Sequence, residues 1–136
     1  MAFGNSPVAG VHALAYPLGG IYHIPHGLSN SLVLPHVLKF NIADSNAAQL
    51  YTELAPSLFP KMDVSTGHQD VSVRFIENLA SLSKDLGLEQ KLRGLNIPEN
   101  ACAKLASDAM KQTRLLINNP REITEKDAYN IYKSAW

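Results

Sequence analysis

A single cysteine, Cys102, rules out an internal disulfide and leaves no second thiolate for a zinc knuckle. That usage suits a reducing compartment, and cytoplasm is the expected location. Neither sign of charge is in excess, with 12 lysine and arginine residues against 12 aspartate and glutamate. Nucleic acid and anionic membranes, which recruit basic surfaces, are therefore not expected as partners. No apolar run approaches the roughly 18 residues of a membrane span, and the N-terminus has neither the basic start nor the apolar core of a signal peptide. Strand-like alternation, internal repeats and low-complexity tracts are also missing. What remains is 136 residues with 46% hydrophobic content, enough for one domain with a real core.

Acidic residues are absent from one stretch in particular. Residues 1–43 hold four of the five histidines and five of the eight glycines, while Lys39 is their only formally charged side chain. The segment from Gly10 to Leu28 is the one the rest of the chain is organised around, and its composition is that of a buried segment. Burial away from carboxylates favours neutral imidazole in general, and neutral imidazole is the form that binds a metal.

Periodicity along the chain predicts helices throughout. Val8, Val11, Leu14 and Ala15 recur at helical steps behind a candidate N-cap, Ser6, and Pro7 at the first helical position, giving a helix over about residues 7 to 16. Pro17 and Gly19-Gly20 are expected to end it in a loop that reaches about residue 24. Pro25 suits the start of a second helix, in which Leu28, Leu32, Val33, Leu34, Val37, Leu38 and Phe40 cover nearly the whole circumference and Pro35 introduces a kink. Ordinary amphipathic helices follow. One is expected from a Ser45 cap to about Leu58, with Ala47, Leu50, Tyr51, Leu54 and Leu58 inward. Another runs from His68 to Leu86, with Val71, Phe75, Leu79, Leu82 and Leu86 inward and Gly87 as its stop. A short turn lies within Glu89 to Gly94. A helix from Pro98 carries Ala101, Leu105, Ala109 and Met110 inward and runs into Leu115-Leu116. After a turn at Asn118 to Arg121, Thr124 and Asp127 form a capping-box variant for a last helix through Tyr132. The fold class predicted is all-α.

Candidate chemistry rests on the histidines. His12 and His26 are 14 apart, a spacing without meaning on one helix face. They converge only if the intervening loop folds the second helix back on the first; otherwise each is a hydrogen-bonded core histidine. His23 and His26 are three apart, but Pro25 breaks their common face. His36 reads as structural and His68, at a helix start, as a surface residue. Gly19-Gly20 follows a helix rather than a strand and has no lysine nearby, so a phosphate loop is not indicated. Cys102 lies beside Ala101 on an inner face and reads as a buried thiol rather than a nucleophile. Tyr16 shares the face of His12, where its hydroxyl either packs or meets whatever His12 binds.

Taken together, Phe3, His12, Tyr16-Pro17-Leu18-Gly19, Pro25-His26-Gly27, Asn30, Leu34-Pro35-His36 and Asn119-Pro120-Arg121-Glu122 closely resemble the iron-containing (group III) alcohol dehydrogenase family. The similarity covers the whole sequence. Enzymes of that family have an N-terminal nucleotide-binding α/β domain and a C-terminal all-helical domain, with a divalent metal and the nicotinamide meeting in the cleft between them. The resemblance implies that this chain is the later part of the helical domain only. Residues 1–136 would then be a single partial helical domain, with a metal-binding half-site in 1–43 and amphipathic helices in 44–136, the first helices and the N-terminal domain being missing.

By the same resemblance His12 matches the metal-ligand histidine of the family pattern, and His26, in Pro-His-Gly, the last ligand. Phe3 looks like the aromatic that faces the substrate pocket. Tyr16 stands where the prototype pattern has a further histidine assigned to proton relay, and a phenol is a poorer base than an imidazole at neutral pH. The aspartate and additional histidine that complete the family's site, and its glycine-rich pyrophosphate turn, are not in this sequence, so no cofactor-binding residue is assigned here.

The implied function is that of the helical, metal-binding part of an NAD(P)-dependent alcohol dehydrogenase. Its metal would be iron or zinc, with NAD or NADP bound mainly by the absent domain. Implied partners are a small alcohol or aldehyde, the missing N-terminal domain and further copies in a homo-oligomer. The chain alone is expected to be inactive. Two alternatives stay open: a non-catalytic helical remnant or binding module, and a fragment of a maleylacetate-reductase-type enzyme, which shares much of the pattern without needing metal. Gly27-Leu28-Ser29-Asn30 looks more like the alcohol dehydrogenases.

Overall fold

The computed structural model describes residues 9–136, and among these the only regular elements are helices. In chain order they are α1 (Ala9–Tyr22), α2 (His26–Asn41), α3 (Ser45–Leu58), α4 (His68–Asp85), α5 (Ala101–Ala109), α6 (Thr113–Ile117) and α7 (Glu125–Ala135), with a 3-10 turn at Leu92–Leu95 between α4 and α5. The all-α expectation holds. Phe3 and the Ser6-Pro7 helix start lie outside the described residues.

The first helix departs from expectation in its length. It runs on through Pro17, Gly19 and Gly20 to Tyr22, so the connection to α2 is three residues rather than a loop from Pro17. Proline in a helix interior costs on the order of 3 kcal/mol and glycine about 1, whereas each buried leucine recovers roughly 1.5–3 kcal/mol. Leu14, Leu18 and Pro17 are all buried, so packing outweighs propensity. What ends the helix is His23, whose backbone is left-handed (φ 56), followed by Pro25 at the N-cap of α2. The His23 amide donates to the Gly19 carbonyl at 3.1 Å and the Ile24 amide to that of Leu18 at 3.3 Å, which satisfies carbonyls the helix end would otherwise leave free.

The second helix is continuous through Pro35. It is less completely enclosed than its composition implied: Ser29, Leu32, Val33, Val37, Leu38 and Asn41 are buried, Leu28, Leu34 and Phe40 half-buried and Lys39 exposed. Its length spans two cores. One gathers α1, the first part of α2, the 3-10 turn, α5 and α7 around Leu14, Leu18, Leu32, Leu105 and Tyr132. The other gathers the end of α2 with α3 and α4 around Leu38, Tyr51, Val71 and Phe75.

Caps and stripes sharpen the remaining boundaries. Asp44, not Ser45, caps α3, its carboxylate accepting from the Ala47 amide at 3.1 Å. Thr124 and Asp127 form the reciprocal capping box of α7, with bonds of 3.1 and 3.0 Å. Gly67 and Gly87 flank α4 with φ of 103° and 81°, conformations that favour glycine. In α3 the inward face is Ala47, Ala48, Tyr51 and Ala55, which leaves Leu54 and Leu58 exposed. In α4 only the first half is anchored, by Val71, Ser72, Phe75 and Ile76, while Leu82 and Leu86 are exposed. The expected helix from Pro98 into Leu115-Leu116 is two helices, α5 and α6, separated at Gln112, whose ψ of 56° is not helical.

One polar cluster ties these parts together. Asn41, the last residue of α2, and Asn119, in the turn before α7, exchange amide hydrogen bonds of 3.0 and 2.7 Å. The Asn41 amide also donates to the Tyr51 hydroxyl at 3.0 Å, and that of Asn119 to the Arg121 carbonyl at 2.6 Å. The Arg121 guanidinium donates back to the Phe40 carbonyl at 2.9 Å and lies 3.9 Å above the Phe40 ring. Buried amides fully engaged in this way join α2 to the C-terminal turn without orphaned groups among themselves.

Candidate metal centre

The hairpin of α1 and α2 places the two histidines singled out by sequence against each other. His12 stands near the start of α1, one residue beyond the buried Val11, and is half-buried. His26 is the first residue of α2 and is exposed. Their rings stack with centroids 5.6 Å apart and planes within 2° of parallel. The spacing of 14 residues is therefore bridged across the hairpin, by a helix longer than expected and a connection shorter than expected.

A pocket of about 270 Å³ opens beside the pair, lined by Ala15, Tyr16, Gly19, Gly20, Ile24, His26 and Ser29. Tyr16 stands on its rim and is 63% exposed, so packing is not its role in this chain. The Ser29 hydroxyl donates to the Ile24 carbonyl at 3.2 Å and holds the connection against α2. Asn30, one turn past His26, sets its amide nitrogen 3.1 Å from His26 Nε2, while its own Oδ1 is buried without a hydrogen-bond partner. Buried polar atoms are rarely left so. Asn30 entered the sequence reading only through the resemblance; the i, i+4 step from His26 was the signal that could have marked it as a partner of that ring.

The other candidates stay apart from this pair. His23 is exposed in its left-handed turn. His36 lies further along α2 in a separate surface cleft with Lys39, Phe40 and Arg121, where burial, then Lys39 and Lys91, lower its pKa below the usual histidine value. His68 is exposed at the start of α4. Cys102 is fully buried and burial raises its thiol pKa, which suits the inert reading.

Two parallel imidazoles from separate helices, one of them lining an open pocket, are two donors of the kind a metal site uses. A catalytic site of that kind takes three or more protein ligands and keeps one position open. Among the described residues no group of three or more histidine, cysteine, aspartate or glutamate side chains could hold an ion. The donor set here is a pair.

An all-helical domain with such a histidine pair beside a pocket defines the class, and comparison with known proteins defines the family. The profile of the Fe-containing alcohol dehydrogenase family, C-terminal region, matches residues 1–136. The chain belongs to this family and corresponds to its C-terminal part. It is 38% identical over 138 residues to long-chain-alcohol dehydrogenase 1 of Geobacillus thermodenitrificans, a match that covers 100% of this chain and 34% of the relative. It is 34% identical over 137 residues to the 1,3-propanediol dehydrogenase of Citrobacter freundii, again over 100% of this chain and 34% of the relative. In structure it is similar to crystalline 1,3-propanediol oxidoreductase, with a TM-score of 0.83 and 31% identity over 93% of this chain and 32% of that one. The chain thus spans about a third of the length of the curated relatives it matches.

Proposed function

We propose that the chain supplies the helical, metal-binding part of an NAD(P)-dependent alcohol dehydrogenase acting on a small alcohol or aldehyde, with His12 and His26 as two of the metal's ligands. The observation that supports this most directly is the parallel stacking of the two rings across the α1–α2 hairpin. When bound, the divalent metal, iron or zinc, supplies Lewis-acid polarisation of the substrate oxygen, and the nicotinamide supplies or accepts hydride.

The chain's own residues then do three things. His12 and His26 present imidazole nitrogens from two rigid helices, so their separation is set by helix packing rather than by a loop. Tyr16 offers a hydroxyl at the pocket rim that can hydrogen-bond a ligand oxygen; a phenol in this place is a hydrogen-bonding group before it is a base. Ala15, Gly19, Gly20 and Ile24 shape the wall of that pocket, with no side chain projecting from either glycine. Phe3 is the proposed aromatic of the substrate pocket. The remaining ligands and the dinucleotide site are assigned to protein outside this sequence, a cytoplasmic, homo-oligomeric enzyme whose earlier domain packs on this one.

A second reading follows from the pair of ligands: by itself the chain is a non-catalytic helical domain with a weak metal site. Turnover separates the two. With NADH and simple aldehydes the 136-residue chain is expected to show none, whereas a polypeptide extended upstream by the remaining length of its relatives turns over only when metal-loaded. In the extended protein, His12→Ala and His26→Ala should each abolish metal retention and activity. An extended protein that keeps its metal after losing either histidine would overturn the ligand assignment.

A further inference from the structure

We infer that Gly10 and Asn119 are positioning residues that set the separation of His12 from His26. Gly10 lies two residues before His12, on the first turn of α1, and is buried. The space beside it is filled: a Cβ at this position would stand 2.5 Å from Asn119 Oδ1, 2.9 Å from Asn119 Cγ and 3.0 Å from Ile123 Cδ1. The other glycines of the hairpin are unlike it. Gly20 and Gly27 face nothing within 4 Å, and the nearest atom to Gly19 is 3.6 Å away.

The obstacle at Gly10 is one that cannot yield. The Asn119 carboxamide is held from both of its polar atoms, by the two bonds to Asn41 and the one to the Arg121 carbonyl, and Asn41 is held in turn by Tyr51. Asn41 ends the helix that His26 begins. A closed path therefore runs from the His12 turn of α1, through the bare Cα of Gly10, onto a locked amide pair, and along α2 to His26. Relieving a methyl at residue 10 from 2.5 Å to the 3.4 Å of ordinary contact requires a shift of about 0.9 Å. Ligand constellations tolerate only about 0.5 Å. The relevance of this device to metal binding rests on the function proposed above.

The separation itself is measurable without metal. In the 136-residue chain the imidazole protons of His12 and His26 should show a mutual nuclear Overhauser effect. Gly10→Ala is expected to remove it and to lower the melting temperature. Gly20→Ala, the same change in the same helix but in open space, is expected to retain it. Asn119→Ala, which removes the amide that backs Gly10 and takes both bonds from Asn41, is expected to remove it as well.

Retention of the contact in Gly10→Ala or in a folded Asn119→Ala, or its loss in Gly20→Ala, would each overturn the inference. If Gly10→Ala does not fold, Asn119→Ala decides alone: loss of the contact in the folded variant supports the inference, and retention overturns it. A parent chain with this pattern of contacts that shows no response to zinc chloride would support the positioning role while counting against the metal reading.

Discussion

His23 is the one residue between the two helices of the hairpin whose backbone conformation its own chemistry disfavours. At φ 56 its Cβ crowds the following carbonyl, a cost of roughly 1–2 kcal/mol for a non-glycine residue. His23→Gly removes that strain and adds unfolded-state entropy of about 0.4–1 kcal/mol, so a net stabilisation of about 0.5–1 kcal/mol is expected, read as a higher urea midpoint at unchanged slope. Tyr51 carries a different signature. Burial raises its pKa to about 12, with the Asn41 hydrogen bond opposing and Asp44 reinforcing the shift. A phenol whose pKa rises on folding contributes stability that is fully present below its unfolded value of about 10 and is lost as pH climbs through about 12. Tyr132, whose hydroxyl donates to the Leu14 carbonyl, is pushed well above the usual tyrosine value by burial and adds to the same loss. Stability measured by urea should therefore fall across pH 10 to 12, and Tyr51→Phe should flatten part of that fall.

Among the helices, α4 shows how far a periodic stripe can mislead. Val71, Phe75, Leu79, Leu82 and Leu86 read as one inward face, yet only Val71 and Phe75 of these are buried, and Leu82 and Leu86 stand 49% and 69% exposed. In the second half of the helix Leu79 is half-buried against the second core, while Leu82 borders a surface groove with Leu58, Phe59 and Met62. Phe75→Ala should cost about 3–4 kcal/mol through lost burial and the cavity left behind. Leu82→Ala, which removes only a half-exposed side chain and opens no enclosed cavity, should cost less, about 1 kcal/mol. Equal losses in denaturant unfolding would mean that the groove closes on Leu82 in solution. The opposite lesson comes from α1, where sequence places a stop at Pro17 and the fold runs through it. Local preference at Pro17, Gly19 and Gly20 opposes helix, but the rows of Leu14 and Leu18 beneath them have a core to enter.

Across the whole molecule the exposed apolar side chains are more numerous than one small domain requires. Tyr16 and Ile21 are exposed on α1, Leu58 and Leu82 are exposed along one groove, and Leu86 is exposed at the end of α4. At roughly 25 cal/mol per Å², covering a few hundred Å² of such surface is worth on the order of 10 kcal/mol before the cost of association. The chain by itself is expected to self-associate at tens of micromolar. Sedimentation should show species larger than 14.9 kDa, and a clean monomer at that concentration would refute it.

The sequence by itself determined that this chain is helical and that its N-terminal third differs in kind from the rest, and it singled out His12 and His26 as candidate ligands. Those properties are local: three- and four-residue apolar steps, an acid-free stretch, and a pattern of short motifs shared with a family. Tertiary structure alone decided where α1 ends, which half of α4 is anchored, that the two rings lie parallel at 5.6 Å, and that an amide pair from residues 41 and 119 stands behind Gly10. Each of these depends on contacts between residues far apart in the chain. Periodicity reports which face of a helix is apolar, and only the packing of the other helices reports whether anything is there to meet it.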